Sequence, residues 1–235
     1  MNRPEGLLLD FFDTLVGDVE LDRVAGNARL LELTTDRRGQ TPESIQAAAE
    51  ELEDRLRPLR YATLELSVPQ FQRLLYDGLG IAFRANPEAL ELEFWRAAVR
   101  CTPEPGVAEA LDFLHGQNVC MGVVSNSAFS AVALAEQLRR HGLLPYLAFV
   151  VSSADYGIRK PHRLLFEVAL ARLRVAPTQV WFVGDSLSAD ITGAQQLGLG
   201  AVWYNRRGAP PGDVRPDAEI ASWPELTALV ERHRR

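Results

Sequence analysis

Short hydrophobic runs recur along the chain and set its predicted architecture. They lie at 6–10, 119–125, 148–151, 180–183 and 201–204. Runs of this length, mostly without polar alternation, are typical of strands that are buried on both faces of a sheet. Helical periodicity fills the intervals between the later runs. The pattern therefore predicts alternating strands and helices, which form a parallel sheet covered on both sides.

The long segment between the first two runs has a different pattern. From about 19 to 99 the apolar residues recur at helical spacing, and helix-start signals with a nearby proline begin at Thr41, Ser67 and Asn86. This segment predicts about four helices and no strand. We therefore expect an all-helical cap, inserted into an α/β core after its first strand.

The two predicted parts have simple boundaries. The α/β core takes residues 1–17 and 100–235, and the helical cap takes 18–99. In open α/β sheets ligands bind at the carboxyl ends of the strands. An insertion directly after the first strand is therefore expected to lie over the binding site.

Composition excludes several classes of function. The formal net charge of −6 and the pI near 5.3 disfavour a nucleic-acid-binding surface, which needs a concentrated basic patch. The two cysteines, Cys101 and Cys120, form no disulfide framework and no metal-binding spacing. No hydrophobic segment approaches the length of a membrane span. We expect a cytoplasmic protein that binds neither nucleic acid nor membrane.

Polar residues near the ends of these runs carry the candidate chemistry. Because the carboxyl ends of parallel strands meet at one edge of a sheet, these side chains should converge. The segments, in chain order, are Asp10-Phe11-Phe12-Asp13-Thr14, Ser125-Asn126-Ser127, Arg159-Lys160-Pro161, and Gly184-Asp185-Ser186 with Asp190.

These residue types suit a phosphoryl group held between a nucleophile and a cation. Asp185 and Asp190 beside Asp10 would repel one another unless a hard cation such as Mg²⁺ lay among them. Ser125 would donate a hydrogen bond to a phosphate oxygen, and Lys160 would neutralise negative charge. Lys160 is the single lysine of the chain, whose other cationic residues are arginines. A slender point charge fits a crowded phosphate site better than a planar guanidinium.

The ordered set of segments resembles the four motifs of the haloacid dehalogenase superfamily. The resemblance spans roughly residues 6–17 and 100–205. It implies a Rossmann-like core with a helical cap of the C1 type. It also implies a hydrolase in which Asp10 attacks phosphorus and forms an aspartyl-phosphate that water then hydrolyses.

The resemblance further implies a role for each motif residue. The magnesium site would consist of Asp10, the main-chain carbonyl of Phe12, Asp185 and Asp190, with Asp190 supporting the water shell. Catalysis and substrate binding would involve Asp10, Thr14 as the residue that orients the first loop, Ser125, Asn126 and Lys160. The implied ligand is a small phosphorylated metabolite. Whether the chain forms a homodimer is left open by the sequence.

Phe12 occupies the position at which phosphatases of this superfamily usually carry a second aspartate. That aspartate acts as general acid and base. Phe12 cannot transfer a proton, and loss of such catalysis typically costs ~10²–10⁴ in rate. Asp13 is expected to stabilise the turn rather than to replace that acid. Three functions stay open: a magnesium-dependent phosphatase, a hydrolase of 2-haloacids, and a protein that binds phosphorylated ligands without catalysis.

The fourth motif favours the phosphatase. The L-2-haloacid dehalogenase branch also lacks the second aspartate, since a departing halide needs no proton, but it replaces the acidic fourth motif with serine and asparagine. Asp185 and Asp190 keep the magnesium-binding form, and two such carboxylates without a cation would destabilise a site for an anion. A phosphonatase-like reaction needs a lysine in the cap, and the predicted cap has none.

The cap is expected to close over the site and to select the substrate. The cap residues that could face the cleft are Arg23, Arg57, Arg60, Tyr61, Phe71, Trp95 and Arg96.

Overall fold

A parallel sheet forms the centre of the structure, a computed structural model that describes residues 1–59, 63–210 and 212–233. The strands of the whole structure, in chain order, are β1 (Gly6–Leu9), β2 (Val16–Leu21), β3 (Thr34–Asp36), β4 (Ala82–Phe83), β5 (Val99–Pro103), β6 (Cys120–Ser125), β7 (Phe149–Ser152), β8 (Val180–Gly184), β9 (Gly200–Tyr204) and β10 (Ala218–Ile220). Within the described residues the main sheet has six strands in the order β10-β9-β8-β1-β6-β7. Each neighbouring pair is parallel, which confirms the predicted Rossmann-like α/β sheet.

Helices flank this sheet and fill the insertion. They are α1 (Arg23–Leu33), α2 (Pro42–Leu56), α3 (Val68–Gly78), α4 (Pro87–Ala98), α5 (Val107–Gly116), α6 (Ala131–Arg140), α7 (Ser153–Tyr156), α8 (Arg163–Leu173), α9 (Thr192–Gln195) and α10 (Trp223–Arg232). The predicted caps are confirmed: the side chains of Thr41, Ser67 and Asn86 each accept a hydrogen bond from a backbone N–H in the first turn of α2, α3 and α4.

The prediction that the insertion has no strand is wrong. β2 pairs antiparallel with β5, and β3 pairs with β4. Most residues of β2 are exposed. A strand without a buried face needs no alternation of apolar and polar residues, so the sequence carries no signal for it. It forms because backbone groups pair with those of β5, far away in the chain. β2 spans the predicted boundary after residue 17, and β5 spans the one after residue 99. The division of the chain into core and cap at these two positions stays a prediction.

Side chains of β1 show why this strand is central. Leu7 and Leu9 pack in one buried cluster with residues of α5, α6 and α10, while Leu8 packs in a second cluster with residues of α8 and α9. All three leucines are fully buried, and complete burial of one leucine contributes about 1.5–3 kcal/mol. The sheet is therefore covered by helices on both faces, and β1 lies buried between these two layers.

No helix in the described ranges combines the length and apolar character that crossing a bilayer would require.

Candidate active site

Asp10 follows β1 directly and begins a tightly bonded turn. Its backbone N–H donates to the carbonyl of Val183 on the neighbouring strand at 2.9 Å. The turn closes through hydrogen bonds from Asp13 N–H to the Val16 carbonyl at 2.7 Å and from Val16 N–H to the Phe11 carbonyl at 3.0 Å. Asp10 itself is only 8% exposed. The carboxylate is thus held at the carboxyl edge of the sheet, as predicted.

Lys160 lies between two of the predicted carboxylates. Its Nζ is 2.6 Å from Asp10 Oδ1 and 2.7 Å from Asp190 Oδ1, and it donates to the carbonyl of Val124 at 2.7 Å. The contacts to Asp10 and Val124 are hydrogen bonds, and the contact to Asp190 is an ion pair. A guanidinium has a planar donor array that cannot point in these three directions. The geometry therefore explains why this chain has lysine at 160.

Asn126 holds the backbone of Lys160 in place. Its Oδ1 accepts from the Lys160 N–H at 2.7 Å, and its Nδ2 donates to the Lys160 carbonyl at 3.0 Å. The following peptide bond, Lys160–Pro161, is cis. The Asn126 side chain, predicted to bind substrate, is thus hydrogen-bonded to the Lys160 backbone. Its direct contact with a substrate stays a prediction.

Three aspartates converge beside Lys160. Asp10, Asp185 and Asp190 each offer a carboxylate oxygen, and these oxygens lie within 4.8 Å of one another. Gly184 makes room for this arrangement, because a Cβ at that position would collide with the carboxylate of Asp190. A cluster of hard oxygen donors at such distances is the set that Mg²⁺ prefers. The residues present therefore fit the predicted cation.

Burial and mutual repulsion perturb these carboxyl groups. Burial, reinforced by Asp190 and Asp13, raises the pKa of Asp185 to about 6. Burial also raises the pKa of Asp190 to about 6, an effect that Lys160 opposes and Asp10 reinforces. The pKa of Asp10 is raised by burial against the opposing charge of Lys160. One ammonium thus leaves the ionised cluster with excess negative charge, which a cation would offset.

Two buried hydroxyl groups of the predicted site have no internal partner. Thr14 and Ser125 are fully buried, and neither hydroxyl forms a hydrogen bond with any of the described residues. Ser125 ends β6, the strand that pairs with β1, and Asp10 directly follows β1. A buried hydroxyl without a partner is costly unless a ligand or water supplies one. The Ser125 hydroxyl is therefore suited to donate to a phosphate oxygen.

The first turn places Phe12 and Asp13 differently. The Phe12 ring packs edge-on against Phe11, with 4.8 Å between centroids, and is partly buried. Asp13 adopts a left-handed φ of 53° and forms an ion pair with Arg207 at 2.7 Å. This contact is consistent with a turn-stabilising role for Asp13. Arg207 was missed because nothing in its local sequence indicates a partner in the first turn.

Two of the predicted cap residues line a cavity between cap and core. Arg23 and Phe71 border a space of about 330 Å³ that reaches Asn126 in the core. Trp95 does not face it but is fully buried in the hydrophobic core. Gln72, which also lines the cavity, was missed. Its signal is a polar residue within the apolar stripe of α3.

Arg57 and Arg96 do not line this cavity. Arg57 forms an ion pair with Asp54, and Arg96 forms ion pairs with two glutamates. Arg60 and Tyr61 lie outside the described residues.

Comparisons with known proteins show which family the chain resembles. A family model described as haloacid dehalogenase-like hydrolase matches residues 4–198. Pyrimidine 5′-nucleotidase YjjG of Escherichia coli (strain K12) is 31% identical over 168 residues, which cover 70% of this chain and 73% of that protein. Ribulose-1,5-bisphosphate 5-phosphatase of Halopiger xanaduensis is 32% identical over 136 residues, covering 57% of this chain and 56% of that protein. The chain thus spans about half the length of this second relative.

Solved structures share the whole architecture. A 2-haloacid dehalogenase from Pseudomonas syringae pv. Tomato DC3000 has a TM-score of 0.64 at 27% identity, covering 97% of this chain and 99% of that chain. A HAD phosphatase from Thermococcus onnurineus has a TM-score of 0.63 at 21% identity, covering 98% and 99% of the two chains, and this likeness shows the fold alone.

The matched segment includes all of the residues predicted to form the site. Its relatives include a nucleotidase and phosphatases, so the chain is a phosphatase-like hydrolase. With its parallel sheet and its convergent motifs, the chain belongs to the haloacid dehalogenase-like hydrolase family.

Proposed function

We propose that this hydrolase is a magnesium-dependent phosphatase that acts on a small phosphorylated metabolite through Asp10. The observation that carries the proposal is the cluster of Asp10, Asp185 and Asp190, in which Asp10 and Asp190 contact the ammonium of Lys160. Two carboxylates beyond the nucleophile are difficult to reconcile with an anionic substrate unless a cation binds. The nucleotidase and phosphatase relatives support a phosphate ester as the substrate.

Each side chain has a task in this reaction. Asp10 Oδ attacks phosphorus, a P–O bond to the carboxylate forms, and the bond to the leaving alkoxide breaks. Lys160 and the Ser125 hydroxyl stabilise the charge on the phosphoryl oxygens. A bound Mg²⁺, held by Asp10, Asp185, Asp190 and the Phe12 carbonyl, would neutralise phosphate charge. Water then cleaves the aspartyl-phosphate.

Phe12 limits this chemistry. The departing alkoxide needs a proton, and the side chain at position 12 cannot supply one. We therefore expect turnover to depend strongly on the leaving group, with nitrophenolate departing far more readily than a sugar alkoxide.

Hydrolysis of p-nitrophenyl phosphate tests the proposal. We expect turnover with Mg²⁺, little without it, and a loss of about 10⁴-fold or more in Asp10→Asn, because the nucleophile is removed. Asp13→Asn is the matched control, since it makes the same change in the same turn at an aspartate outside the metal cluster. Equal turnover by the wild type and Asp10→Asn would refute the role of Asp10 as the nucleophile.

The pKa values of the cluster predict how Mg²⁺ affects stability. Because the pKa values of Asp185 and Asp190 are raised to about 6, ionising them costs stability as pH rises through 6 in the metal-free protein. Protons also compete with the cation below that pH. We expect Mg²⁺ at 100 times its Kd to raise Tm by on the order of 5 °C at pH 7.5 and much less at pH 5. Thermal melts of the wild type and Asp185→Asn check this, and an equal shift in both proteins would contradict it.

A second candidate is metal-independent hydrolysis of a 2-haloacid, with Asp10 attacking carbon and halide leaving. Phe12 favours it, because this reaction needs no acid at that position, and the dehalogenase structure at 27% identity agrees. Chloride release from 2-chloropropionate in the presence of a chelator would identify this activity. Absence of both activities in the folded protein would favour a binding role.

A further inference from the structure

The cavity between cap and core lies where the organic part of a substrate would sit. Its core wall includes Asn126 and Arg159, which flank Ser125 and Lys160 in the sequence. Asn126 also holds the Lys160 backbone, so the cavity begins beside the catalytic side chains. Its volume of about 330 Å³ is at the lower end of the range of roughly 300–1,000 Å³ typical of small-molecule sites. A substrate with phosphate at Asp10 could extend a small group into it.

The charges around this cavity are balanced. In the described part of the chain, its charged lining residues are Arg23, Glu53, Glu65 and Arg159. Arg23 lies 3.1 Å from Glu53, and Arg159 contacts Glu65, which also accepts from the Ser153 hydroxyl at 2.8 Å. Each arginine is thus already paired with a glutamate of the cavity lining. The cavity therefore favours an uncharged group over a second phosphate or a carboxylate.

Two glutamines on its wall have unused hydrogen-bonding groups. Gln72 is 6% exposed, and neither atom of its amide has a partner among the described residues. Gln46 uses its Nε2 to donate to Glu50 at 2.9 Å, while its buried Oε1 has no partner there. Both glutamines line the cavity. Buried amide groups without partners are costly, so a ligand that bonds to them would gain affinity.

Aromatic rings complete the lining. Phe71, Tyr76 and Phe94 border the cavity, and the Tyr76 hydroxyl donates to the buried Asn27 at 3.3 Å. Aromatic lining residues favour a flat ligand, and a carboxamide presents a donor and an acceptor side by side. A heteroaromatic base matches both features, because its edge pairs with amides while its faces stack on aromatic side chains.

We propose that this cavity binds the base of a nucleoside 5′-monophosphate and that Gln72 determines specificity by hydrogen bonding to the base edge. The proposal rests on the phosphatase function proposed above and names its substrate class. Hydrolysis transfers the phosphoryl group first to Asp10 and then to water, and releases the uncharged nucleoside.

A panel of substrates tests the class. We expect uridine or adenosine 5′-monophosphate to have a kcat/KM at least about tenfold above those of ribose 5-phosphate, which lacks the base, and phosphoserine, which carries added charges. Equal or higher values for ribose 5-phosphate or phosphoserine would overturn the proposal. Turnover of p-nitrophenyl phosphate with Mg²⁺ in the same preparation separates this failure from failure of the phosphatase function.

Variants test the role of Gln72. Methionine has a similar length and no amide, so Gln72→Met should lower the ratio of kcat/KM for the preferred nucleotide to that for ribose 5-phosphate by about tenfold. Gln137→Met is the matched control, because Gln137 is also buried but does not line the cavity. If Gln72→Met fails to fold, Gln72→Leu, which also lacks the amide, provides the same measurement. An unchanged ratio in the folded variant would overturn the assignment.

Discussion

Replacing Lys160 with methionine is expected to lower kcat for phosphate-ester hydrolysis by about 10²–10³-fold, the usual effect of removing one group that stabilises transition-state charge. The Lys160 ammonium contacts Asp10 and Asp190 and is almost completely buried. Burial opposes its charged form, but these two carboxylates raise the pKa of Lys160, so it stays protonated at neutral pH. The nucleophile therefore works beside a permanent cation.

The same change is expected to destabilise the metal-free protein by about 3–5 kcal/mol, because it leaves two buried carboxylates without their cation. Kinetics with Mg²⁺ and thermal melts separate the two effects. Lys160→Arg is the control: it keeps the charge but has a planar donor array, so we expect it to recover stability better than activity. Wild-type kcat in a folded Lys160→Met variant would contradict the role of this ammonium.

Replacing Phe12 with aspartate is expected to raise kcat for alkyl phosphates by about 10²-fold, the lower end of the contribution of general acid–base catalysis. Phe12 lies two residues after the nucleophile, and its ring is only partly buried against Phe11. A smaller polar side chain there leaves the buried leucines of β1 in place. The gain should be smaller for p-nitrophenyl phosphate, since nitrophenolate departs without a proton.

Phe12→Asn is the matched control, because asparagine has nearly the same shape as aspartate but does not transfer a proton at neutral pH. Rates with ribose 5-phosphate and p-nitrophenyl phosphate, measured across pH, distinguish the two variants. An unchanged or lower rate in folded Phe12→Asp, or an equal gain in Phe12→Asn, would show that the missing acid does not limit this enzyme.

Local patterns in the sequence were sufficient to predict main elements of both the core and the cap. The leucines of β1 predict a strand buried on both faces, and the caps at Thr41, Ser67 and Asn86 predict three helix starts that the structure confirms. These signals are local, since burial periodicity and capping depend on residues within a few positions of one another. The pairing of β2 with β5 has no such signal, because it joins backbone groups of segments far apart in the chain.

The sequence by itself determined the residue types of the site and the sheet edge on which they converge. Only the tertiary structure decided which atoms meet: that Lys160 bridges Asp10 and Asp190, and that Asn126 bonds to the lysine backbone. It also decided that Gln72 lines a cavity rather than packing in the cap. The physical reason is that hydrogen bonds and ion pairs depend on distances of a few tenths of an ångström, which are set when separate elements pack together.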